Sequence, residues 1–392
     1  MPATPVRLED DALALPRLTR RGALFGAAAL LSPLVPRIGS AAAAPTPVPA
    51  AATATAVSTG LVRLDSNENP YGPSPAARRA ILASVVDAPR YADKSVVDLT
   101  HALAARDGFD PAQVVVGSGS GELLTVAGLL AAEGGTGGEL VASHPTFEDL
   151  PRFAAKMGVT TRWIPPDADH RHDLGAMLAA VGPRTRLVYV CNPNNPTGTA
   201  LPHAALAAFI RAVPRDVLVL VDEAYIDLVD ADDVASVVPM VHDCPNLVVL
   251  RTFSKIHGLA GLRIGYSVAG PELSARIENK LTTYPNSTGM QAAIASLGDH
   301  EFITTTRTAL IADRRRVEAA IDALGRPRAK SQGNFVFFDT GMPHKAFFER
   351  LLAQQIKIGR HFDRYDTWAR ITIGTRPEVD RLLAALPGAL RA

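Results

Sequence analysis

Short apolar segments bounded by turn residues recur along the chain beyond Leu61. Such continuous runs are typical of strands covered on both faces of a sheet. Helical patterns lie between several of them, and this alternation predicts an α/β fold with a mostly parallel sheet and helices on both faces. The predicted strands span 113–116, 187–191, 217–221, 247–250 and 262–267, and the predicted helices span 122–132, 147–157 and 202–212.

The pattern changes after about Thr283. Short strand-like runs at 334–339, 356–359 and 370–373 stand beside helical patterns at 343–354 and 377–386. This region predicts a smaller α+β C-terminal domain over 284–392. The domain would follow a large domain over 90–283 and an N-terminal arm over 61–89 that associates with the small domain.

The N-terminal segment has the order of an export signal. Arg20 and Arg21 precede an apolar run that continues to about Leu34, and small residues follow to Ala44. The run is too short and too rich in Gly and Ala for a stable membrane anchor, and the paired arginines resemble a twin-arginine signal. We expect a signal over 1–44, a linker over 45–60 and a periplasmic or secreted protein. If the signal is not used, the protein is cytoplasmic, and the alternative is an Ala-rich tail with chance arginines.

Composition narrows the class of protein. The chain has 392 residues, a formal net charge of +1 and 47% hydrophobic residues, so it can bury a large core. The balanced charge argues against nucleic acid as a partner. Cys191 and Cys244 are too few for a disulfide scaffold or a multi-cysteine zinc site, and the histidines lack metal-ligand spacing. These features favour a globular enzyme without a metal.

Candidate catalytic and phosphate-binding residues follow the predicted strand at 247–250. Lys255 comes after Thr252 and Ser254, and Arg263 stands eight positions later. A lysine desolvated at a strand end suits Schiff-base chemistry, and the hydroxyls and the guanidinium could together hold a phosphate. Taken alone, the segment favours such a function, and the alternative is a surface loop with ordinary charges.

Three further motifs follow other predicted strands. Asp222 comes directly after an apolar strand, at the sheet edge where α/β proteins bind ligands, although it could simply cap a helix. Asn195 lies in an Asn-Pro-Asn-Asn-Pro-Thr-Gly segment that is also good turn chemistry. The glycines of 117–121 open a helix whose free N–H groups suit a phosphate, without the spacing of a Walker loop or a dinucleotide fingerprint.

Together these motifs resemble the fold-type-I, pyridoxal-phosphate-dependent aminotransferases of class I/II, and most of all their histidinol-phosphate aminotransferase branch. The likeness runs from Leu-Asp-Ser-Asn-Glu-Asn-Pro-Tyr-Gly at 64–72 to Arg-Ile-Thr-Ile-Gly-Thr at 370–375. It implies that the large domain binds pyridoxal 5'-phosphate. It also implies a ping-pong transamination between an L-amino acid, histidinol-phosphate-like, aromatic or other, and a 2-oxo acid.

The resemblance implies a role for each candidate residue toward the cofactor. Lys255 would form the Schiff base and shuttle the substrate proton, and Asp222 would keep the pyridine nitrogen protonated. Asn195 and Tyr225 would hydrogen-bond the phenolic oxygen. The phosphate would be held by Ser120, Gly121, Thr252, Ser254 and Arg263.

Two aromatic residues are implied at the edges of the cofactor site. Phe147 would stack on the ring where most relatives of this branch carry Tyr, or it would belong to the core. Tyr91 would reach the cofactor phosphate of the neighbouring subunit in a homodimer. Here Ala92 replaces the proline of the family segment, and the alternative is a tyrosine packed within its own subunit.

On the substrate side, the resemblance assigns Arg370 to the α-carboxylate, which its planar guanidinium suits. Arg360 is a candidate for a second anionic group or a solvated surface residue. Asn67 and Tyr71 are expected to line the substrate entrance.

Two kinds of alternative function stay open at this point. The same cofactor chemistry supports decarboxylation or oxidation of an amino acid, and a cofactor-binding carrier or sensor would need no turnover. Export is also unusual for an enzyme of this branch, so the sequence leaves the identity of the substrate side chain open.

Overall fold

The computed structural model describes residues 60–135 and 137–391. The predicted signal and nearly all of the predicted linker lie outside these residues. The strands are β1 (Val62–Leu64), β2 (Val114–Gly117), β3 (Glu139–Ser143), β4 (Thr160–Ile164), β5 (Thr185–Cys191), β6 (Leu218–Asp222), β7 (Leu247–Thr252), β8 (Gly265–Ala269), β9 (Phe335–Asp339), β10 (Ile356–Ile358) and β11 (Trp368–Thr372). The α-helices are α1 (Pro75–Ser84), α2 (Asp93–Asp107), α3 (Ser120–Ala131), α4 (Asp149–Lys156), α5 (Leu174–Ala179), α6 (His203–Ala212), α7 (Pro271–Glu278), α8 (Ser287–Leu297), α9 (His300–Ala323), α10 (His344–Leu352) and α11 (Arg376–Ala389).

A seven-stranded sheet in the order β2-β8-β7-β6-β5-β3-β4 forms the centre of the large domain. The neighbours from β7 to β4 pair in parallel, and β8 runs antiparallel to both β2 and β7. The parallel strands bring their carboxyl ends to one edge of the sheet. The predicted fold class, a mostly parallel sheet with helices on both faces, is confirmed.

The two faces of this sheet belong to two separate apolar cores. Successive side chains of a strand point to opposite faces. In β5, Val188 and Val190 enter the core shared with α2, α5, α6 and α8, whereas Leu187, Tyr189 and Cys191 enter the core shared with α3, α4 and α7. This alternation places Tyr189 on the same face as Leu220 of β6.

The C-terminal region builds a third core. There β9 pairs with β11 in antiparallel register, and β10 pairs in parallel with β1 of the N-terminal arm. Val62 and Leu64 of β1 are buried in this core, so the start of the arm associates with the small domain. Helix α8, assigned from the sequence to the small domain, instead packs Met290 into the core of the large sheet.

Two strands of the central sheet are missing from the sequence prediction. Strand β3 is a five-residue run that includes Glu139, Ala142 and Ser143, and β4 is an edge strand with the polar sequence Thr-Thr-Arg-Trp-Ile. Only Ile164 of β4 is buried and its other residues are exposed or half-buried, so β4 lacks the continuous apolar run on which the prediction depends.

The predicted strand at 262–267 was wrong at its start. The segment Ala260–Leu262 forms a 3-10 turn, Arg263 adopts the left-handed conformation with φ of 54°, and β8 begins at Gly265. This turn aims the Arg263 side chain back toward the start of α3 instead of along a strand. Within the part of the chain that the structure describes, no helix combines the length and the apolar character needed to cross a bilayer.

Candidate active site

A cavity of about 360 Å³ lies at the carboxyl ends of β5, β6 and β7. Parallel α/β sheets bind their ligands at this edge. Most of the residues predicted from the sequence line it, although they come from segments more than 300 positions apart. They are Asn67, Ser120, Gly121, Phe147, Asn195, Asp222, Tyr225, Thr252, Ser254, Lys255, Arg263, Arg360 and Arg370.

Lys255 lies in the loop that follows β7 and projects its partly buried amine into the cavity. Its Nζ donates a hydrogen bond to the carbonyl oxygen of Asn67 at 3.2 Å and lies 5.2 Å from the ring centroid of Tyr225. Among the residues described, the ammonium forms no ion pair within 4 Å of a carboxylate. The amine is therefore held by one hydrogen bond to a neutral group, which leaves it accessible for chemistry with a carbonyl.

Asp222 ends β6 with its side chain buried at 2% exposure. Its Oδ1 accepts from the Ala224 N–H at 3.1 Å, and its Oδ2 accepts from the Tyr189 hydroxyl at 3.3 Å. Burial raises the pKa of Asp222 to about 6, against the lowering effect of these donors and of Lys255. A buried carboxylate of this kind is stabilised in its charged form by a cation, which fits the protonated ring nitrogen of the expected cofactor.

The start of α3 and the segment after β7 form a tight anion cradle. Gly119, with φ of +79°, precedes α3, and a Cβ atom there would lie 2.4 Å from Nη2 of Arg263. A Cβ on Gly265 would lie 2.3 Å from the backbone nitrogen of Ser120. Only glycines leave the free N–H groups of α3 open beside the guanidinium, and this geometry fits a phosphate group.

Hydroxyl groups complete this cradle. Thr252 donates to the Ser254 Oγ at 3.0 Å, and Nη1 of Arg263 donates to the same Ser254 oxygen at 3.5 Å. Both hydroxyl residues are buried, with 8% exposure each. The predicted phosphate-binding residues are thus brought together at one corner of the cavity.

Arg370, on β11, is a buried cation held by neutral groups. Nη1 donates to the Asn195 side-chain oxygen and Nη2 to the Asp65 carbonyl oxygen, each at 2.7 Å, whereas Nε is buried with no partner. Burial lowers the pKa of Arg370 to about 10, so the guanidinium stays charged at neutral pH. An anionic substrate group is the partner that this arrangement lacks.

Asn195 and Tyr225 link the cofactor side of the cavity to the substrate side. Besides the bond from Arg370 to Asn195, the Tyr225 hydroxyl accepts from the Asn67 amide at 3.1 Å. Asn67 is buried at 1% exposure and also accepts from the Thr372 hydroxyl. It lies in the wall of the cavity, where it fixes Tyr225.

Arg360 lies at the mouth of the cavity, with a side chain that is 57% exposed. Its Nη2 forms an ion pair with Glu148 at 3.0 Å, and its guanidinium lies 4.4 Å from the ring centroid of Phe362. Phe362 is buried and also lies 5.4 Å from the Arg370 guanidinium. The two arginines thus share one aromatic ring between them.

Several lining residues escaped the sequence reasoning. Phe362 stands two positions after Arg360, so its closeness to a candidate residue was a usable signal. Glu148 pairs with Arg360 from outside the cavity lining, and this pairing spans 212 positions and left no local signal. The others that line the cavity are Ser66, Glu68, Thr146, Asp149, Cys191, Ala224 and Ala260.

The three candidate aromatic residues lie in different surroundings. Phe147 lines the cavity and also packs against the core on the Tyr189 face of the sheet, and its stacking on the cofactor stays a prediction. Tyr71 is absent from the cavity lining and packs against the small-domain core. Tyr91, just before α2, is 93% exposed and is not packed within its own subunit.

Within residues 60–135 and 137–391, no group of three or more His, Cys, Asp and Glu side chains is arranged to hold a metal ion. Both cysteines are free and buried, and burial raises the pKa of the Cys191 thiol well above its ordinary value. The chemistry of the cavity therefore rests on its amine, carboxylate, guanidinium and hydroxyl groups.

Comparisons with known proteins show the family to which the chain is similar. Residues 59–386 match the family model of aminotransferase class I and II. The chain is 40% identical over 326 residues to an aromatic amino acid aminotransferase of Rhodococcus jostii, covering 83% of this chain and 89% of the relative. It is 38% identical over 330 residues to a histidinol-phosphate aminotransferase of Moorella thermoacetica, covering 83% and 84%. The structure of histidinol-phosphate aminotransferase from Sinorhizobium meliloti in complex with pyridoxal-5'-phosphate matches with a TM-score of 0.79 at 32% identity, over 85% of this chain and 91% of that one.

Proposed function

The chain belongs to the class I and II aminotransferase family, and from that premise we propose which residue performs each part of the reaction. The protein is a pyridoxal-phosphate-dependent transaminase acting on an amino acid and a 2-oxo acid. When bound, pyridoxal phosphate supplies an electron sink for negative charge at the substrate α-carbon. The observation that carries the assignment is one cavity in which the Lys255 amine, the Asp222 carboxylate and the anion cradle before α3 meet.

Each group has a task that follows from its surroundings. Lys255 binds the cofactor covalently and moves the proton at the substrate α-carbon, because its amine is held by a single hydrogen bond to a neutral group. Asp222 holds the proton on the ring nitrogen. Arg370 binds and orients the anionic end of the substrate, and its two bonds to Asn195 and to the Asp65 carbonyl fix the guanidinium beforehand.

For the amino donor we propose histidinol phosphate or an aromatic amino acid. The support is a substrate side that combines Phe147 and Phe362 with two arginines, together with the relatives named above. The test is amino transfer from histidinol phosphate, phenylalanine and aspartate to 2-oxoglutarate. The measured product is the 2-oxo acid formed from phenylalanine or aspartate and the ketone formed from histidinol phosphate. Aspartate turning over fastest of the three would refute this choice of donor.

Arg360 distinguishes the two donor classes. A phosphate monoester carries up to two negative charges and gains more from a second cation than a single carboxylate does. For Arg360→Ala we expect the KM for histidinol phosphate to rise by about tenfold, as for a lost charge-assisted hydrogen bond near solvent. The KM for phenylalanine should change less than about twofold.

The matched control for this variant is Arg276→Ala. Arg276 has a side-chain exposure of 50% and pairs with Glu133, and neither residue lines the cavity. Steady-state kinetics with both donors decide the outcome. Equal increases in KM for the two donors would show that Arg360 does not recognise the phosphate group of histidinol phosphate.

We also propose that the active unit is a homodimer in which Tyr91 completes the partner's site. The support is the exposure of the Tyr91 ring, at 93%, beside further exposed apolar residues. These are Leu82, Val85, Val86 and Val97. Several exposed apolar side chains within one short stretch of the chain, 82–97, are typical of a protein interface.

Mixed dimers test this arrangement. Lys255→Ala and Tyr91→Phe subunits each lack one component, and a heterodimer of the two rebuilds one site with both native residues. After subunit exchange at equal amounts, activity should rise toward about a quarter of wild type, since half the dimers are mixed and half their sites native. Proven exchange without any gain, or a fully active monomer, would rule the arrangement out.

For the N-terminal segment we propose export through a twin-arginine route. The support is the order of Arg20, Arg21, the apolar run and the small residues, and the family match begins only at residue 59. The test is fractionation of cells that express the full chain. The Arg20→Lys, Arg21→Lys double variant should remain in the cytoplasm, and an unchanged distribution would exclude the twin-arginine route.

A further inference from the structure

Tyr189 is the largest buried polar side chain beside the carboxylate of Asp222. It lies on β5, and the exposure of its side chain is 0%. Its hydroxyl donates to Oδ2 of Asp222 at 3.3 Å. A buried phenol needs a hydrogen-bond partner, and here that partner is the carboxylate at the centre of the site.

The register of the sheet explains how the two side chains meet. Cys191 of β5 stands opposite Asp222 of β6, and Tyr189 stands opposite Leu220. Tyr189 and Asp222 are therefore diagonal neighbours on the same sheet face, a spacing that long aromatic side chains can bridge. Both ends of this contact lie on regular strands, so it is fixed by the fold.

None of the other groups around Asp222 replaces Tyr189 as the donor to Oδ2. The Ala224 N–H donates to the other carboxylate oxygen, and Lys255 acts through its charge. Glu223 is turned away, since its carboxylate accepts from Ser236, Val237 and Arg251. Cys191 stays a neutral thiol because burial raises its pKa.

Protonation of the phenol itself does not vary in the physiological range. Burial, together with the charge of Asp222, raises the pKa of Tyr189 well above its ordinary value. The hydroxyl is therefore a permanent donor. Its bond opposes the desolvation that raises the pKa of Asp222 to about 6.

We infer that Tyr189 is a positioning residue, whose hydroxyl keeps the Asp222 carboxylate ionised and oriented so that the proton resides on the cofactor ring nitrogen. The inference rests on the role proposed for Asp222 above. Without the donor, the carboxylate becomes more basic and draws that proton toward its own oxygen. The residue acts through Asp222 and makes no contact of its own with substrate.

The experiment uses holoenzyme loaded with pyridoxal phosphate labelled with ¹⁵N in the ring, and reads the ring nitrogen by NMR. In Tyr189→Phe we expect the ¹⁵N resonance to move toward that of unprotonated pyridine. We also expect kcat to fall by about tenfold, as for loss of one hydrogen bond to a charged group, with KM little changed. The melting temperature should stay close to wild type, because the substitution keeps the ring.

Two control variants separate the possible failures. Tyr266→Phe removes an equally buried hydroxyl from β8 of the same sheet, where it bonds Arg106, and should leave the ¹⁵N resonance in place. Asp222→Asn should move the resonance strongly. If neither Asp222→Asn nor Tyr189→Phe moves it, the role proposed for Asp222 is wrong; if only Asp222→Asn does, the role of Tyr189 is wrong.

A second replacement keeps the inference testable if Tyr189→Phe does not yield holoenzyme. Incorporation of 4-fluorophenylalanine at position 189 retains the ring and replaces the hydroxyl with a fluorine atom that cannot donate a hydrogen bond. The resonance should then move toward that of unprotonated pyridine. An unmoved resonance would overturn the inference.

Discussion

Replacement of Lys255 by alanine is expected to lower turnover by at least about 10³-fold, since a positioned proton-transfer group alone contributes about 10²–10⁴-fold. The variant should still fold, because the amine gives up a single hydrogen bond to the Asn67 carbonyl. Such a bond contributes about 0.5–1.5 kcal/mol to the free energy of unfolding. The anion cradle before α3 is untouched, so the cofactor should still bind without a covalent bond.

Three measurements check this result for Lys255→Ala. Borohydride reduction followed by mass spectrometry should detect covalent cofactor in wild type and none in the variant. Dialysis should release cofactor from the variant faster, and thermal unfolding should show a similar melting temperature. Lys345→Ala, at a side chain that is 86% exposed on α10, is the matched control and should behave as wild type. Covalent cofactor in Lys255→Ala would assign the attachment to another lysine.

The central strands were predictable because they are buried on both faces. In β5, β6 and β7 nearly every residue is buried, so the apolar run itself marks the strand. The edge strand β4 carries the alternating burial of a one-sided strand in only five residues, and its Arg162 and two threonines mask the signal. Strand β2, at the other edge, was predicted because all four of its residues are buried, so the apolar run and not the position in the sheet decides which strands local sequence predicts.

The site residues were predictable where a reactive side chain directly follows the end of a strand in the sequence. Asp222 and Lys255 are fixed by the ends of β6 and β7, whose carboxyl edges the parallel topology brings together. The bonds from Arg370 to Asn195 and to the Asp65 carbonyl span 175 and 305 positions, and no local pattern encodes them. The substrate side therefore depends on how the small domain packs, which only the structure supplies.

Contacts across such distances also explain the residues that no motif suggested. The Tyr189 hydroxyl meets Asp222 only because β5 and β6 pair in the register that places Cys191 opposite Asp222. In the sequence, Tyr189 is one apolar residue of a buried strand. Its hydroxyl has a hydrogen-bond acceptor only because the neighbouring strand β6 ends in the carboxylate of Asp222.

Replacement of Asp222 by alanine is expected to lower turnover by about 10³-fold or more, since a buried charge pair is worth several kcal/mol and each ~1.4 kcal/mol is tenfold in rate. The ring nitrogen would lose the anion that keeps it protonated, and its capacity as an electron sink would fall. The Tyr189 hydroxyl and the Ala224 N–H would also lose their acceptor. Steady-state kinetics at saturating cofactor measure the loss, and Asp227→Ala, at a half-exposed carboxylate nearby, is the control.

The pH dependence of stability gives Asp222 a second, independent signature. In the cofactor-free protein the folded-state pKa of Asp222, about 6, exceeds the ordinary value of 3.8, so ionisation opposes folding. Its cost is absent below pH 3.8, grows between 3.8 and about 6, and is complete above that. The melting temperature of cofactor-free Asp222→Ala relative to wild type should therefore rise from pH 4 to pH 8, whereas turnover of the loaded variant stays low throughout. A variant within about twofold of wild-type turnover, whatever its stability, would show that another group holds the ring nitrogen, because one lost charge pair of this kind cannot leave the barrier unchanged.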